Sequence, residues 1–225
     1  SPEYLAQIQK GETWSLTTFP IAMRDNFKYM SEYADGVPRL EVCKPDENGS
    51  HAMGWPLSTK TISFRWDKET HDGVAVVKYK YLVGNPIVWF SVLAGIILAS
   101  GLIISRVVYN SPVKDERLFY WICTFTGLYL FYMVAILQIE RVMYLYHYML
   151  PLLFGAVNLG LVFAYIYRDD VMNNHKHTII NAFLFTALVV VVFAFFSPFT
   201  YGFGLTEEQF ELRNWFDFWK MRVVR

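Results

Sequence analysis

The feature that most constrains this chain is where its charges are not. No Asp, Glu, Lys or Arg occurs in a run of 25 residues from Tyr81 to Ser105. Further charge-free runs cover 22 residues from Leu118 to Ile139, 26 from Val142 to Tyr167 and 29 from Thr178 to Thr206. A helix needs roughly 20 mostly apolar residues to cross about 30 Å of hydrocarbon. All four runs are long enough. With 54% hydrophobic residues and only 18% charged, the chain is richer in apolar residues and poorer in charge than a soluble domain. An ordinary soluble enzyme, a disordered chain and a nucleic-acid binder, which would carry a basic stripe, are excluded. The fold class expected is an all-α polytopic membrane protein with spans at about 86–106, 118–139, 148–167 and 178–198. Trp89, Phe90, Tyr120 and Trp121 sit at span entries, where aromatic belts form.

Residues 1–85 hold 21 of the 40 charges and are expected to form a small extracytoplasmic α+β region. Phe19, Met23, Phe27 and Met30 recur at helical spacing among Arg24, Asp25, Lys28 and Glu32. This predicts an amphipathic helix at about 19–35, ended by Asp35-Gly36-Val37-Pro38. Lying in the membrane interface and packing on a neighbouring domain are both open to it. After the loop Lys44–Ser50, Ile62, Phe64 and Trp66 alternate with polar residues, and Val74–Tyr81 forms a second alternating run. The two runs predict a β-hairpin at about 61–81 with Ile62, Phe64 and Trp66 on its buried face. The remaining divisions are the four-span region, 86–199, and a C-terminal tail, 200–225.

Four spans place both ends of the chain on one side. Arg106, Lys114, Arg117, Arg168 and Lys176 flank one side, and Lys78, Lys80, Arg141 and Arg213 the other. The positive-inside rule leans, by five to four, toward a cytosolic 109–117 and 168–177. Residues 1–85, 140–147 and 200–225 are then extracytoplasmic. Two cysteines, Cys43 and Cys123, exclude a disulfide framework. The opening Ser-Pro-Glu-Tyr carries no Met, basic n-region or apolar signal core, which suggests a piece of a longer chain.

The segment Glu140–Pro151 concentrates the chemistry. Arg141, Tyr144, Tyr146, His147 and Tyr148 fall within eight positions at a membrane boundary. Arg is a permanent cation whose fork suits phosphate oxygens, and Tyr and His add donors. The cluster is suited to the phosphate of a lipid-linked donor. An interfacial aromatic belt with a snorkelling Arg accounts for the same residues. A second cluster, Ser50–Leu57, offers His51 as donor or base and the face of Trp55 for a sugar ring, although a His beside a packed Trp is commonplace. Asn48-Gly49-Ser50 matches the N-glycosylation sequon, which matters only in a eukaryotic secretory compartment. His175 and His177 follow Asp169-Asp170 but lack a third ligand at defined spacing, so no metal is assigned. Phosphate-binding glycine loops and nucleophile elbows are missing from the sequence.

Four ordered blocks carry a family resemblance. They are Ser50-His51 with Trp55-Pro56-Leu57; Leu82-Val83-Gly84-Asn85-Pro86-Ile87-Val88-Trp89; Arg141 with Met143–Tyr148 and Pro151; and Leu205–Glu208 leading to Trp215-Phe216-Asp217 and Trp219. Over about residues 45–220 the chain resembles the C-terminal four-span region of the protein O-mannosyltransferases, membrane glycosyltransferases that use a polyprenyl (dolichyl) phosphate mannose donor. The family's catalytic acidic pair belongs to an earlier extracytoplasmic loop and has no counterpart here. Nor is there room for the β-trefoil domain of eukaryotic members. The resemblance is to the trefoil-less, bacterial type with its N-terminal half missing. A bacterial plasma membrane is implied, or the endoplasmic reticulum membrane if the source is eukaryotic.

The resemblance implies transfer of mannose to protein Ser or Thr hydroxyls, with no cofactor or metal. The partners implied are the donor lipid, an acceptor protein, membrane lipids and the missing half of the enzyme. Arg141, Tyr146 and His147 are the expected donor-phosphate residues, and His51 and Trp55 the acceptor or sugar side. The catalytic base is expected upstream, so the 225-residue piece alone is expected to be inactive. Two rivals stay open: another lipid-linked sugar transferase of this architecture, and a non-catalytic subunit keeping the four-span scaffold. A transporter fits less well, because coupled transport uses ionisable groups at depth and these spans hold no formal charge.

Overall fold

The computed structural model describes residues 1–11, 15–36, 38–41, 44, 47–71, 74–169 and 176–223. Cys43 and His175 lie outside them. The chain forms two compact units, Ser1–Arg39 and Leu40–Arg225. In the first, α1 (Pro2–Gln9) precedes α2 (Thr18–Gly36), and Arg24 of α2 reaches Glu3 of α1 at 2.6 Å. The 3.6-residue spacing of Phe19, Met23, Phe27 and Met30 is realised as a helix, with all four side chains exposed. Helix α1 was not expected, although Ser1 as cap, Pro2 in the first turn and Glu3 after it are helix-start signals.

The second unit contains four helices long and apolar enough to span a membrane: α3 (Pro86–Tyr109), α4 (Glu116–Leu137), α5 (Met149–Ile166) and α6 (Lys176–Tyr201). Asn85 caps α3 by accepting from the amides of Ile87 and Val88, while Pro86 takes the first turn, where an N–H is not needed. The Asn85 amide also donates to the Val189 carbonyl at 3.0 Å, tying α3 to α6. Helices α3 and α5 approach closely because glycines face the contact. A Cβ on Gly95 would lie 3.0 Å from Leu159 Cα, and one on Gly155 would overlap the Val92 side chain. Between α4 and α5, Asn158 donates to Thr126 Oγ1 at 2.9 Å, a buried polar tie of the kind that joins helices in lipid. Pro198 inside α6 leaves the Ala194 carbonyl without its usual amide. The Ser197 hydroxyl donates to it instead, at 2.7 Å.

Strand β1 (Ile62–His71) pairs antiparallel with β2 (Val74–Leu82), and β2 pairs antiparallel with the two-residue β3 (Gly204–Leu205). The third strand comes from the tail and was not expected. Tyr79 and Tyr81 of β2 pack on Phe199 of α6 and on Phe210 of a short helix, α7 (Glu207–Glu211). This packing places the hairpin in one compact unit with the spans, whereas its polarity grouped it with residues 1–85. One side-chain expectation is corrected. Ile62 is buried, but Phe64 and Trp66 are 62% and 51% exposed. The register shifts between Ser63 and Arg65, and such a bulge changes which face the following residues occupy.

The connections gather at two ends of the helices. At one end, Arg168 pairs with Asp115 at 3.2 Å and donates to the Lys114 carbonyl at 2.8 Å. At the other, three segments meet: the loop after Leu40, the link between α4 and α5, and the tail. The Ser50 amide donates to the Met143 carbonyl at 2.8 Å, and the amides of Lys60 and Thr61 donate to the carbonyls of Phe218 and Trp219, each at 3.0 Å.

Candidate functional site at the membrane boundary

The meeting of the first two segments builds the site. Gly49 sits so close to Val142 that a Cβ there would overlap its side chain. The turn after it becomes a short 3-10 helix, Ala52–Leu57. Its Trp55 is fully buried: the indole N–H donates to Ser50 Oγ at 2.9 Å. The Trp55 carbonyl accepts from the indole of Trp89, in α3, at 2.8 Å. A buried Trp needs a partner for its N–H, and both Trp residues have one. Trp55 therefore has no open face for a sugar. Its ring backs the site.

Opposite it, a second 3-10 helix, Leu145–Tyr148, leads into α5. The ring of His147 lies between those of Trp55, 6.2 Å away at 11°, and Tyr146, 4.4 Å away at 26°. Tyr144 stacks on Tyr146 at 5.5 Å. The column runs from the fully buried Trp55 outward to Tyr146, which is 45% exposed. His147 Nδ1 accepts from the Tyr144 amide at 3.3 Å and lies 3.0 Å from the Tyr144 carbonyl; with Nδ1 as acceptor the ring carries its proton on Nε2, which is left to donate. Below it, the hydroxyls of Tyr148 and Tyr129 are 2.9 Å apart and buried, fixing the link to α4.

Arg141 is exposed and makes no ion pair or side-chain hydrogen bond among the described residues. His51 is exposed too, and its Nδ1 accepts from the Met53 amide at 3.3 Å. The neutral ring then carries its proton on Nε2, facing outward. The structure thus brings His147, Tyr146 and Trp55 into one column and joins the His51 and Arg141 segments through the Ser50–Met143 bond. It adds Ser50 and Trp89, which hold Trp55. The sequence displayed both residues but gave no sign of those pairings. His177 lies at the start of α6, outside this cluster, and Asn48 is exposed.

The C-terminal tail closes one side of an adjoining open cleft of about 1150 Å³, lined by His51 and Lys60 on one wall and by Asn214 and Lys220 on the other. Burial holds the Lys60 amine below the ordinary lysine value, a shift opposed by Glu47 and reinforced by Arg222.

Comparison with known proteins agrees with this architecture. Residues 26–219 match the family model described as the C-terminal four-span region of protein O-mannosyltransferase. Over 190 residues, 79% of this chain and 22% of the relative, the sequence is 27% identical to dolichyl-phosphate-mannose–protein mannosyltransferase 1 of Saccharomyces cerevisiae. The Schizosaccharomyces pombe protein of the same name is 27% identical over 168 residues, 70% of this chain and 17% of that protein. The chain therefore spans about a fifth of the length of these relatives. Among solved structures, the Saccharomyces cerevisiae protein O-mannosyltransferase Pmt1-Pmt2 complex bound to the sugar donor shares the fold. Its TM-score is 0.59 at 22% identity, over 91% of this chain and 27% of that one. With four apolar spans and a family match across most of its length, this integral membrane chain belongs to the protein O-mannosyltransferase family.

Proposed function

We propose that this chain forms the leaving-group side of a membrane glycosyltransferase that moves mannose from a polyprenyl-phosphate donor to Ser or Thr hydroxyls of proteins. The observation that carries the reading is the exposed guanidinium of Arg141, unpaired among the described residues, in the link that also bears the exposed Tyr146 and the half-buried His147. In the reaction the acceptor hydroxyl oxygen bonds to the anomeric carbon as the bond from that carbon to the phosphate oxygen breaks. The electron pair leaves with the phosphate, and a carboxylate outside this chain takes the hydroxyl proton. Charge builds on the leaving phosphate, so a fixed cation and donors aimed at it lower the barrier. Arg141 supplies the cation; Tyr146 O–H and His147 Nε2–H supply donors. Trp55 and Tyr144 hold the His147 ring in place, and His51 lies on the acceptor side. Water and acceptor meet this end of the helices if it faces outside the cytosol, the side toward which the flanking charges lean.

The test is direct transfer. The full-length membrane protein in nanodiscs, given polyprenyl-phosphate mannose and a Ser/Thr peptide, is expected to yield mannosylated peptide. Failure to transfer with this donor, alongside transfer from a different lipid-linked sugar, would replace the reading. Failure with every donor would favour a scaffolding subunit.

A further inference from the structure

The cleft beside the candidate site has features the donor chemistry leaves unused. Its charged side chains are Lys44, Lys60, Lys220 and Arg222 against Glu47 and Asp217, a cationic excess on a chain with no net charge. Of the four non-glycine residues with positive φ among those described, Lys60 and Lys220 line this one cleft, at +62° and +54°. Glycine takes that conformation at lower cost. Lysines held there mark a place where the side chain has a use, since strained backbone gathers at binding sites. Two polar atoms in the walls, Ser63 Oγ and Asn214 Oδ1, are buried without a hydrogen-bond partner among the described residues. Two aromatic rings, Trp66 and Phe218, face the cleft and are partly exposed.

We propose that this cleft holds an extended polypeptide bearing acidic side chains, and that Lys60 and Lys220 select it. Cations set beside ring surface decide the class: Lys60 and Lys220 line the same cleft as Trp66 and Phe218, which suits the mixed side chains of a polypeptide. The volume exceeds what a small ligand fills. Interspersed charges of both signs with aromatic surface suit a chain more than a single anion. His51 borders the same cleft, so a polypeptide lying in it passes the acceptor side of the candidate site. Its identity as the acceptor rests on the function proposed above; its binding does not.

The test measures binding of labelled peptides, with Ser and Thr replaced by Ala, to the full-length protein in nanodiscs. An acidic peptide is expected to bind more tightly than its neutral counterpart, and increasingly so as salt falls. Lys60→Glu with Lys220→Glu should weaken the acidic peptide about tenfold and change the neutral one by less than about twofold. Because charge reversal can harm folding, Lys220→Gly serves as a second variant. It relaxes the backbone, so thermal stability should hold or rise while acidic-peptide binding weakens about threefold. Equal binding of acidic and neutral peptides, or unchanged binding by these variants, would overturn the proposal. So would charge sensitivity seen only toward phosphatidic acid in the nanodisc, which would make the cleft a headgroup site. Selective peptide binding by a protein that transfers no mannose would refute the enzymatic reading and leave the cleft assignment standing.

Discussion

At the scale of single residues, the candidate site depends on Trp55, which touches no substrate in this account. Its indole N–H bonds Ser50, its carbonyl bonds Trp89, and its ring lies against His147. Trp55→Ala would leave a cavity and remove the bond to Ser50 and the contact with His147, while its backbone carbonyl could still accept from Trp89, so a loss of about 3–5 kcal/mol of stability is expected. Trp55→Phe keeps most of the ring and loses only the bond to Ser50, with an expected cost of about 0.5–1.5 kcal/mol. Denaturation in mixed micelles would check both, and equal stability of the two variants would contradict the packing role. The sequence showed His51 and Trp55 as neighbours with possible sugar chemistry. It could not show which of them is buried, because the partner that covers Trp55 is Trp89 in α3 and the ring that stacks on it is His147. Arg141, Tyr146 and His147 stood out in the sequence for the opposite reason: they lie within seven positions of one another.

At the scale of elements, the contact between α3 and α5 is set by Gly95 and Gly155. A larger side chain at either position forces the helices apart, because the obstruction at Gly95 includes the Leu159 backbone. Gly95→Leu and Gly155→Leu are each expected to destabilise the unit by about 1–3 kcal/mol or more. Gly101→Leu, where a Cβ meets nothing within 4 Å, should be close to neutral. Comparable losses at all three positions would sink the assignment. The spans themselves were readable from the absence of charge, and the start of α3 lies at Asn85-Pro86, while its far end runs to Tyr109, beyond the expected 106. The hairpin was readable from alternation, yet its buried face was not. A bulge at Phe64 depends on pairing with β2 and leaves the composition of β1 unchanged. Strand β3 was invisible because two residues carry no periodicity.

At the scale of the whole molecule, the fold gathers the connecting segments at two ends of the helices. The loop beginning at Asn110 and the segment at Arg168 meet at one end, joined through Asp115 and Lys114. The His51 and Arg141 segments and the tail meet at the other. In a background with Cys43 and Cys123 replaced by Ser, Asn48→Cys is expected to react with an impermeant thiol reagent in intact cells and Pro112→Cys to stay unlabelled. The reverse pattern would invert the topology and place the site in the cytosol. The central claim is that a cation at this boundary holds the donor phosphate, and the transfer rates of Arg141→Ala and Arg141→Lys in the full-length enzyme, at matched folding, test it most directly. Losing a charge-assisted contact to the leaving phosphate should cost about 2–4 kcal/mol, roughly 30- to 1000-fold in rate. Lys should restore only part of it, since it keeps the charge and loses the planar fork. Rates for both variants within about twofold of the parent, far below that electrostatic loss, would make Arg141 a membrane anchor and contradict the account.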